Sequence, residues 1–242
     1  MKKKFAFAAL IVAAVMALVA WAPFQGPSDP LIAGFVNTEV ASISDAMEQL
    51  YGIKNFMSHD MRPLFPTRFA GPAWTVYMKK EENKEGGAAV QGMLDAIDSA
   101  PAGAVYVMVI QDGLDVAGVG GLMATTMKVR GLAGAVVDAS MRDTPQMRRI
   151  QFPVFARGII PSTTVGHWRF VGNNIPVTCA GVKVNPGDII VADEDGVVSV
   201  PKDKAQEVLK KAQQLDLAEH QTYPLIEKLK SVVEAVKQMG RI

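Results

Sequence analysis

The chain has 242 residues, 49% of them hydrophobic and 20% charged, a composition that supports a sizeable core and argues against disorder. Its 25 Lys and Arg nearly cancel its 24 Asp and Glu, for a net charge of +1. With no Lys/Arg stripe carrying interleaved aromatics, nothing marks a nucleic-acid partner. The only cysteine, Cys179, can form no intramolecular disulfide, so the fold must rest on its hydrophobic core. In Pro176-Val177-Thr178-Cys179-Ala180-Gly181 that cysteine reads as a buried residue at a strand end.

Lys2, Lys3 and Lys4 precede an uncharged run from Phe5 to Ala22. A basic start before such a run is the pattern of a signal peptide or a membrane anchor. Ala20-Trp21-Ala22 offers a small-x-small cleavage site, whereas Pro23 is a poor residue to follow a cut, so both forms stay open. A Pro/Gly-rich linker from Pro23 to Pro30 then separates the segment from the rest. The expected division is 1–30, signal peptide or anchor with linker, and 31–242, an α/β domain with a helical tail. Lysines on the cytoplasmic side place the body outside the cytoplasm, periplasmic or membrane-anchored.

Thr38 to Leu50 predicts a helix, with Ile43, Met47 and Leu50 on its apolar face and Gly52 ending it. Phe69 to Met78 predicts an extended segment. Gly86-Gly87 opens a helix that passes Met93 and Ile97 and stops before Pro101. Ala104 to Ile110 is a near-continuous apolar run, the signature of a strand buried on both faces. The glycines from Gly118 to Gly121 then lead into a helix from Leu122 to Arg130. A second short strand, Gly134 to Asp138, completes a βαβ unit. Short strands follow at Val154–Ala156, Val182–Val184, Asp188–Ala192 and Val197–Val200, punctuated by Pro186-Gly187 and the turn Asp193-Glu194-Asp195-Gly196. From Lys202 the chain reads as helical, with a break expected before Pro224.

Chemistry concentrates between Gly118 and Asp143. Glycines ahead of a helix leave backbone N–H groups free at the positive end of the helix dipole, where a carboxylate or phosphate binds. The loop is neither a Walker motif nor GxGxxG, and a tight turn with no ligand also accounts for it. The second turn, Asp138 to Asp143, follows the next strand and should face the first, because ligands gather at the carboxyl ends of parallel strands. Arg142 offers a planar fork for a carboxylate and Asp143 a hard oxygen ligand; a plain surface ion pair would look the same.

The stretch GGLMATTMKVRGLAGAVVDASMRD resembles the signature of the 4-hydroxy-4-methyl-2-oxoglutarate aldolases and their relatives, among them the regulator of ribonuclease activity A. SISDAMEQLYG, FPVFARGIIP and IPVTCAGVKVNPGDIIVADEDGVVSVP extend the likeness from Thr38 to about Ala218. The resemblance implies an α/β swivelling β/β/α fold with the βαβ glycine-loop unit, short C-terminal strands and a helical C-terminal tail, assembled as a homotrimer or hexamer. It also implies a divalent metal cation, Mg or Mn, and a small 2-oxo acid substrate. Gly120, Gly121, Leu122 and Met123 would bind the substrate carboxylate through backbone amides, Arg142 would contact the keto-acid end, and Asp143 would be the one direct protein ligand of the metal. The activity implied is retro-aldol cleavage of a 4-hydroxy-2-oxo acid to pyruvate, with oxaloacetate decarboxylation open to the same site; a non-catalytic binding or regulatory protein is the alternative. Ala139-Ser140-Met141 departs from the small Gly-Ala usual before Val-Arg-Asp and is expected to reshape the pocket. The family's general acid/base is not matched: Glu219 and His220 are candidates, although a solvated helix face explains them as well.

His59, His167 and His220 show no zinc-type spacing. Asp112 and Asp115 flank the glycine loop and read as ordinary loop residues or holders of a metal-bound water. Lys128 reads as a surface lysine.

Overall fold

The structure, a computed structural model, describes residues 29–240. The expected signal or anchor segment lies outside the described residues up to Ser28. No helix among the described residues is long and apolar enough to cross a membrane.

The chain enters at α1 (Pro30–Val36) and α2 (Val40–Tyr51). The linker expected to reach Pro30 therefore ends sooner. Asp29 accepts the Leu31 N–H at 2.8 Å and Pro30 starts the helix, an N-cap followed by a first-turn proline. After β1 (Arg62–Pro63) comes β2 (Phe69–Lys80), a 12-residue strand that organises the molecule. Its first residues, Phe69 to Pro72, pair antiparallel with β10 (Ile189–Asp193); from Ala73 to Met78 it pairs parallel with β3 (Val105–Ile110). The handover falls at Pro72, which has no N–H to donate. Next to it Gly71 is sterically required, since a Cβ there would lie 2.2 Å from the Gly103 carbonyl oxygen.

The main sheet runs β1-β6-β5-β3-β2-β10-β11, with β6 at Val154–Ile159, β5 at Gly134–Met141 and β11 at Gly196–Val200. β4 (Ala117–Val119) adds to β5, and β7 (Trp168–Asn173) adds antiparallel to β2. β8 (Val177–Cys179) and β9 (Val182–Val184) form a separate hairpin.

Strand periodicity divides the core. In β3, Tyr106, Met108 and Ile110 join the cluster beneath α3 (Gln91–Ser99), α4 (Gly121–Val129) and α5 (Thr144–Ile150). Val105, Val107 and Val109 enter a second cluster with the β8–β9 hairpin, Ile190 and Val197. Alternate side chains point to opposite faces, so one apolar run serves both layers. A third cluster packs α1, α2 and the first half of α6 (Ala205–Leu229) on β10 and β11. The result is a helical layer, a central parallel sheet and a β layer, as expected for the swivelling β/β/α fold.

Several expectations are corrected. Gly118 and Val119 belong to β4, leaving Gly120 alone as the loop before α4. β5 continues to Met141, so Ala139, Ser140 and Met141 lie in a buried strand rather than a turn; Ala139 and Met141 pack in the helix-side core and do not line a pocket. The helix opened at Gly86 begins as a 3₁₀ turn, Gly86–Val90. β7 was not anticipated, because Trp168 to Asn173 lacks clean alternation of apolar and polar residues. α6 passes through Pro224 without a break; the chain instead turns at Lys230, in left-handed conformation, and Ser231 caps α7 (Val232–Met239). Pro224 is exposed, and a missing N–H facing water costs least there.

Candidate active site at the start of α4

The C-terminal edge of the parallel strands brings the two turns together as expected. β4 delivers Gly120 to the N-cap of α4, and β5 ends at Met141, directly before Arg142 and Asp143. The Arg142 N–H donates to the Val119 carbonyl at 3.0 Å, fixing the two strand ends side by side.

Asp143 is left-handed (φ 56°), a conformation Asp tolerates better than most residues, and it is the N-cap residue of α5. Its carboxylate turns back to α4: Oδ2 accepts the Gly121 N–H at 2.9 Å and lies 3.8 Å from Arg142 Nε. Gly120 makes room for this. A Cβ there would stand 2.8 Å from Asp143 Oδ2 and 3.3 Å from Arg142 Nε.

Leu122 and Met123 receive no side-chain cap, so their amides remain available at the positive end of α4. The Met123 side chain is buried in the core, whereas Leu122 is 89% exposed beside the site. The Arg142 guanidinium is held by a bond from Nη1 to the Ser162 carbonyl at 2.9 Å. Ser162 is clasped in turn: its hydroxyl accepts the Ala117 N–H at 3.1 Å and donates to the Asp115 carbonyl at 3.1 Å. Sequence reasoning missed Ser162, which reaches the site from the loop after β6. Gln146, also missed, donates to Thr125 at 3.0 Å and ties α5 to α4 behind Asp143. Neither carries a motif that would have singled it out.

The donor set suits a hard divalent cation. Asp143 is half-exposed, one of its oxygens is tied to the backbone, and Oδ1 makes no hydrogen bond. Mg²⁺ and Mn²⁺ accept such a site, because they keep several waters and need only one or two carboxylates.

The remaining candidates sit elsewhere. Asp112 and Asp115 are exposed loop residues, and only the Asp115 backbone takes part in the clasp. Lys128 is exposed. Glu219 and His220 lie on α6, where Glu219 accepts the Tyr223 hydroxyl at 2.7 Å. His220 faces Asp216 and Glu39, and the Asp216 backbone carbonyl, with those carboxylates, raises its pKa. Neither bonds to Arg142, Asp143 or the α4 N-terminus.

On the β-layer side of the same strands, Arg157 bridges Asp60 (2.7 Å) and Asp138 (3.1 Å), and Asp138 Oδ2 accepts the Ala180 N–H at 2.6 Å. This network pins the β8–β9 turn to the main sheet. Hydrogen bonding from Arg157 lowers the Asp60 pKa. Burial, aided by the Asp138 carboxylate, pushes the Cys179 thiol well above its ordinary range, in keeping with a structural cysteine.

A three-layer swivelling β/β/α body with an Arg-Asp pair set against a glycine-opened helix defines the class of protein. The sequence profile of the RraA-like family, described as Aldolase/RraA, matches residues 40–199, and the chain belongs to that family. A putative 4-hydroxy-4-methyl-2-oxoglutarate aldolase of Halalkalibacterium halodurans is 35% identical over 185 residues, covering 75% of this chain and 81% of the relative. Protein DlpA of Legionella pneumophila is 32% identical over 190 residues, 78% of this chain; the match spans only 30% of DlpA's length. Among solved structures, RraAS2 of Streptomyces coelicolor, described as an unusual member of the RNase ES inhibitor RraA protein family, superposes with a TM-score of 0.71 at 26% identity. That superposition covers 82% of this chain and 98% of RraAS2.

Proposed function

We propose that the protein is a divalent-metal-dependent lyase that cleaves a small 4-hydroxy-2-oxo acid to release pyruvate, with oxaloacetate decarboxylation at the same site. The observation that carries this reading is the meeting of Asp143, Arg142 and the α4 N-terminus. One carboxylate oxygen, Oδ2, is fixed by the Gly121 N–H and lies 3.8 Å from the Nε of a guanidinium anchored at Ser162, while Oδ1 makes no hydrogen bond. The aldolase relative adds support, since its name specifies this reaction class.

Asp143 would hold the metal, which when bound supplies positive charge to the enolate that develops as the C3–C4 bond breaks. The free N–H groups of Leu122 and Met123 would bind the substrate carboxylate. Arg142 would present its fork to the keto-acid end and stabilise the same developing charge. Its anchoring at Ser162 limits the motion lost when substrate binds. No titratable side chain beyond Arg142 and Asp143 shares a hydrogen bond or ion pair with this cluster among the described residues. The base that takes the C4 hydroxyl proton and the acid that protonates C3 of the resulting enolate are accordingly assigned to a neighbouring copy in a homotrimer or hexamer. The N-terminal run extends the proposal to a body working outside the cytoplasm.

The test is pyruvate release from 4-hydroxy-2-oxo acids and from oxaloacetate, with and without Mg²⁺ or Mn²⁺. Metal-stimulated release that depends on Asp143 supports the reading. If no 2-oxo acid tried is turned over while pyruvate or oxalate still binds in calorimetry, the protein is a binding member of the family.

A further inference from the structure

The helical tail carries a second set of ligand-type side chains that the proposed lyase site does not use. Asp216 and His220 stand four residues apart on α6, so both project from one helix face. That face packs along α2 and meets Glu39, which holds the N-cap position of α2 without a side-chain cap bond. His220 Nε2 lies 3.6 Å from Glu39 Oε1, and His220 Nδ1 lies 3.8 Å from Asp216 Oδ2. One ligand atom from each of the three residues falls within 4.8 Å of the others.

We infer that Glu39, Asp216 and His220 bind a divalent transition-metal ion of the Zn²⁺ class, separate from any ion at Asp143. Three features carry this beyond proximity. First, the ring tautomer is set by the backbone: Nδ1–H donates to the Asp216 carbonyl at 2.9 Å, which leaves the Nε2 lone pair toward Glu39. Metal-binding histidines are oriented in this way, with the other ring nitrogen donating to a carbonyl or carboxylate. Second, the 3.6 Å from Nε2 to Oε1 exceeds hydrogen-bond length. Two atoms bonded at about 2.0–2.1 Å to one tetrahedral ion stand roughly 3.3 Å apart, so a small closure seats the ion between them. Third, Asp216 is oriented before any ion arrives. Its Oδ1 accepts the Glu39 N–H at 3.3 Å, and the side chain is mostly buried, while Oδ2, 3.8 Å from His220 Nδ1, makes no hydrogen bond.

Imidazole with two carboxylates selects Zn²⁺, Co²⁺ or Ni²⁺ over Mg²⁺, which prefers oxygen alone. The site is reached from solvent. His220 is half-exposed, and Glu39 also lines a cavity of ≈ 430 Å³ with Arg68 and Asp193 to Asp195. A bound ion would staple the start of α2 to the middle of α6.

The test uses the full-length chain carrying Asp143→Asn, stripped of metal with a chelator, so that only the second site is read. Titration with Zn²⁺ by calorimetry should give one equivalent per chain. Co²⁺ should give visible absorption of the strength expected for four or five nitrogen and oxygen ligands. His220→Ala and Glu39→Gln should each weaken Zn²⁺ binding at least about tenfold. Both side chains are partly exposed, and far-UV circular dichroism checks that the helices persist. The proposal is overturned if no saturable Zn²⁺ binding appears in the micromolar range, the result expected of a plain histidine–carboxylate ion pair. Binding that survives both substitutions unchanged overturns it equally.

Discussion

The Asp143 carboxylate accepts the Gly121 N–H at 2.9 Å, joining the end of β5 to the first turn of α4 across 22 residues of sequence. This bond caps one helix and leaves Oδ1 without a hydrogen bond, and it decides which substitution tests the proposed metal site cleanly.

Asp143→Asn should retain the fold while abolishing metal-stimulated turnover, since Asn accepts the left-handed conformation and can still accept the Gly121 N–H. Asp143→Ala should lose the same activity and also about 1–2 kcal/mol of stability, through backbone strain and the lost bond. Denaturant unfolding of the two variants beside a pyruvate assay checks both halves. Full metal-stimulated turnover in either variant would refute the assignment.

Gly120→Ala should damage activity without harming the helix. The backbone there has φ −127°, ordinary for any residue, but the new Cβ would stand 2.8 Å from Asp143 Oδ2. The carboxylate must move, and a displacement of about 1 Å is worth on the order of a hundredfold in rate. Steady-state kinetics should show that loss, with an unchanged circular dichroism spectrum.

Arg142→Lys keeps the charge but loses the planar fork and the reach to the Ser162 carbonyl. The loss of a transition-state contact of this kind is about 3–4 kcal/mol, roughly a hundred- to a thousandfold in kcat/KM. A change of less than about tenfold would place Arg142 outside the reaction.

Asp60 titrates below its ordinary value because Arg157 bonds its carboxylate. A folded-state pKa below the unfolded one contributes stability that is present above the unfolded value, near 3.8, and is lost as pH falls through the folded value. Wild-type unfolding midpoints should therefore fall more steeply on acidification below about pH 4 than those of Asp60→Asn. Parallel curves would show that the Asp60–Arg157 pair adds nothing; its partial exposure keeps the expected difference small.

Cys179 should resist thiol reagents in the folded protein and react on unfolding, because burial raises its pKa and shields it. Labelling by mass spectrometry with and without denaturant reads this directly.

What the sequence determined by itself is local. The run from Val105 to Ile110 demanded a strand covered on both faces, since six apolar residues without alternation cannot leave one face wet. The two-residue turn Glu194-Asp195 closes the β10–β11 hairpin where the carboxylate-glycine cluster placed it. Arg142 and Asp143 were legible as a polar pair following a buried strand. Other features depend on partners distant in the chain, and only the tertiary structure decided them. The extension of β5 to Met141 follows from pairing with β4 and β6, which hides Ser140 and Met141 in the sheet despite their place in a turn-like stretch. Ser162 enters the site because its loop folds over Asp115 and Ala117, a contact without a periodic or motif signal. Pro224 reads as a helix breaker in one dimension, yet it lies exposed beyond the packed half of α6, where its missing N–H faces water and the helix runs on. Spacing along the chain fixes which face a side chain takes within its own element; which element it then meets is set by burial summed over the whole core.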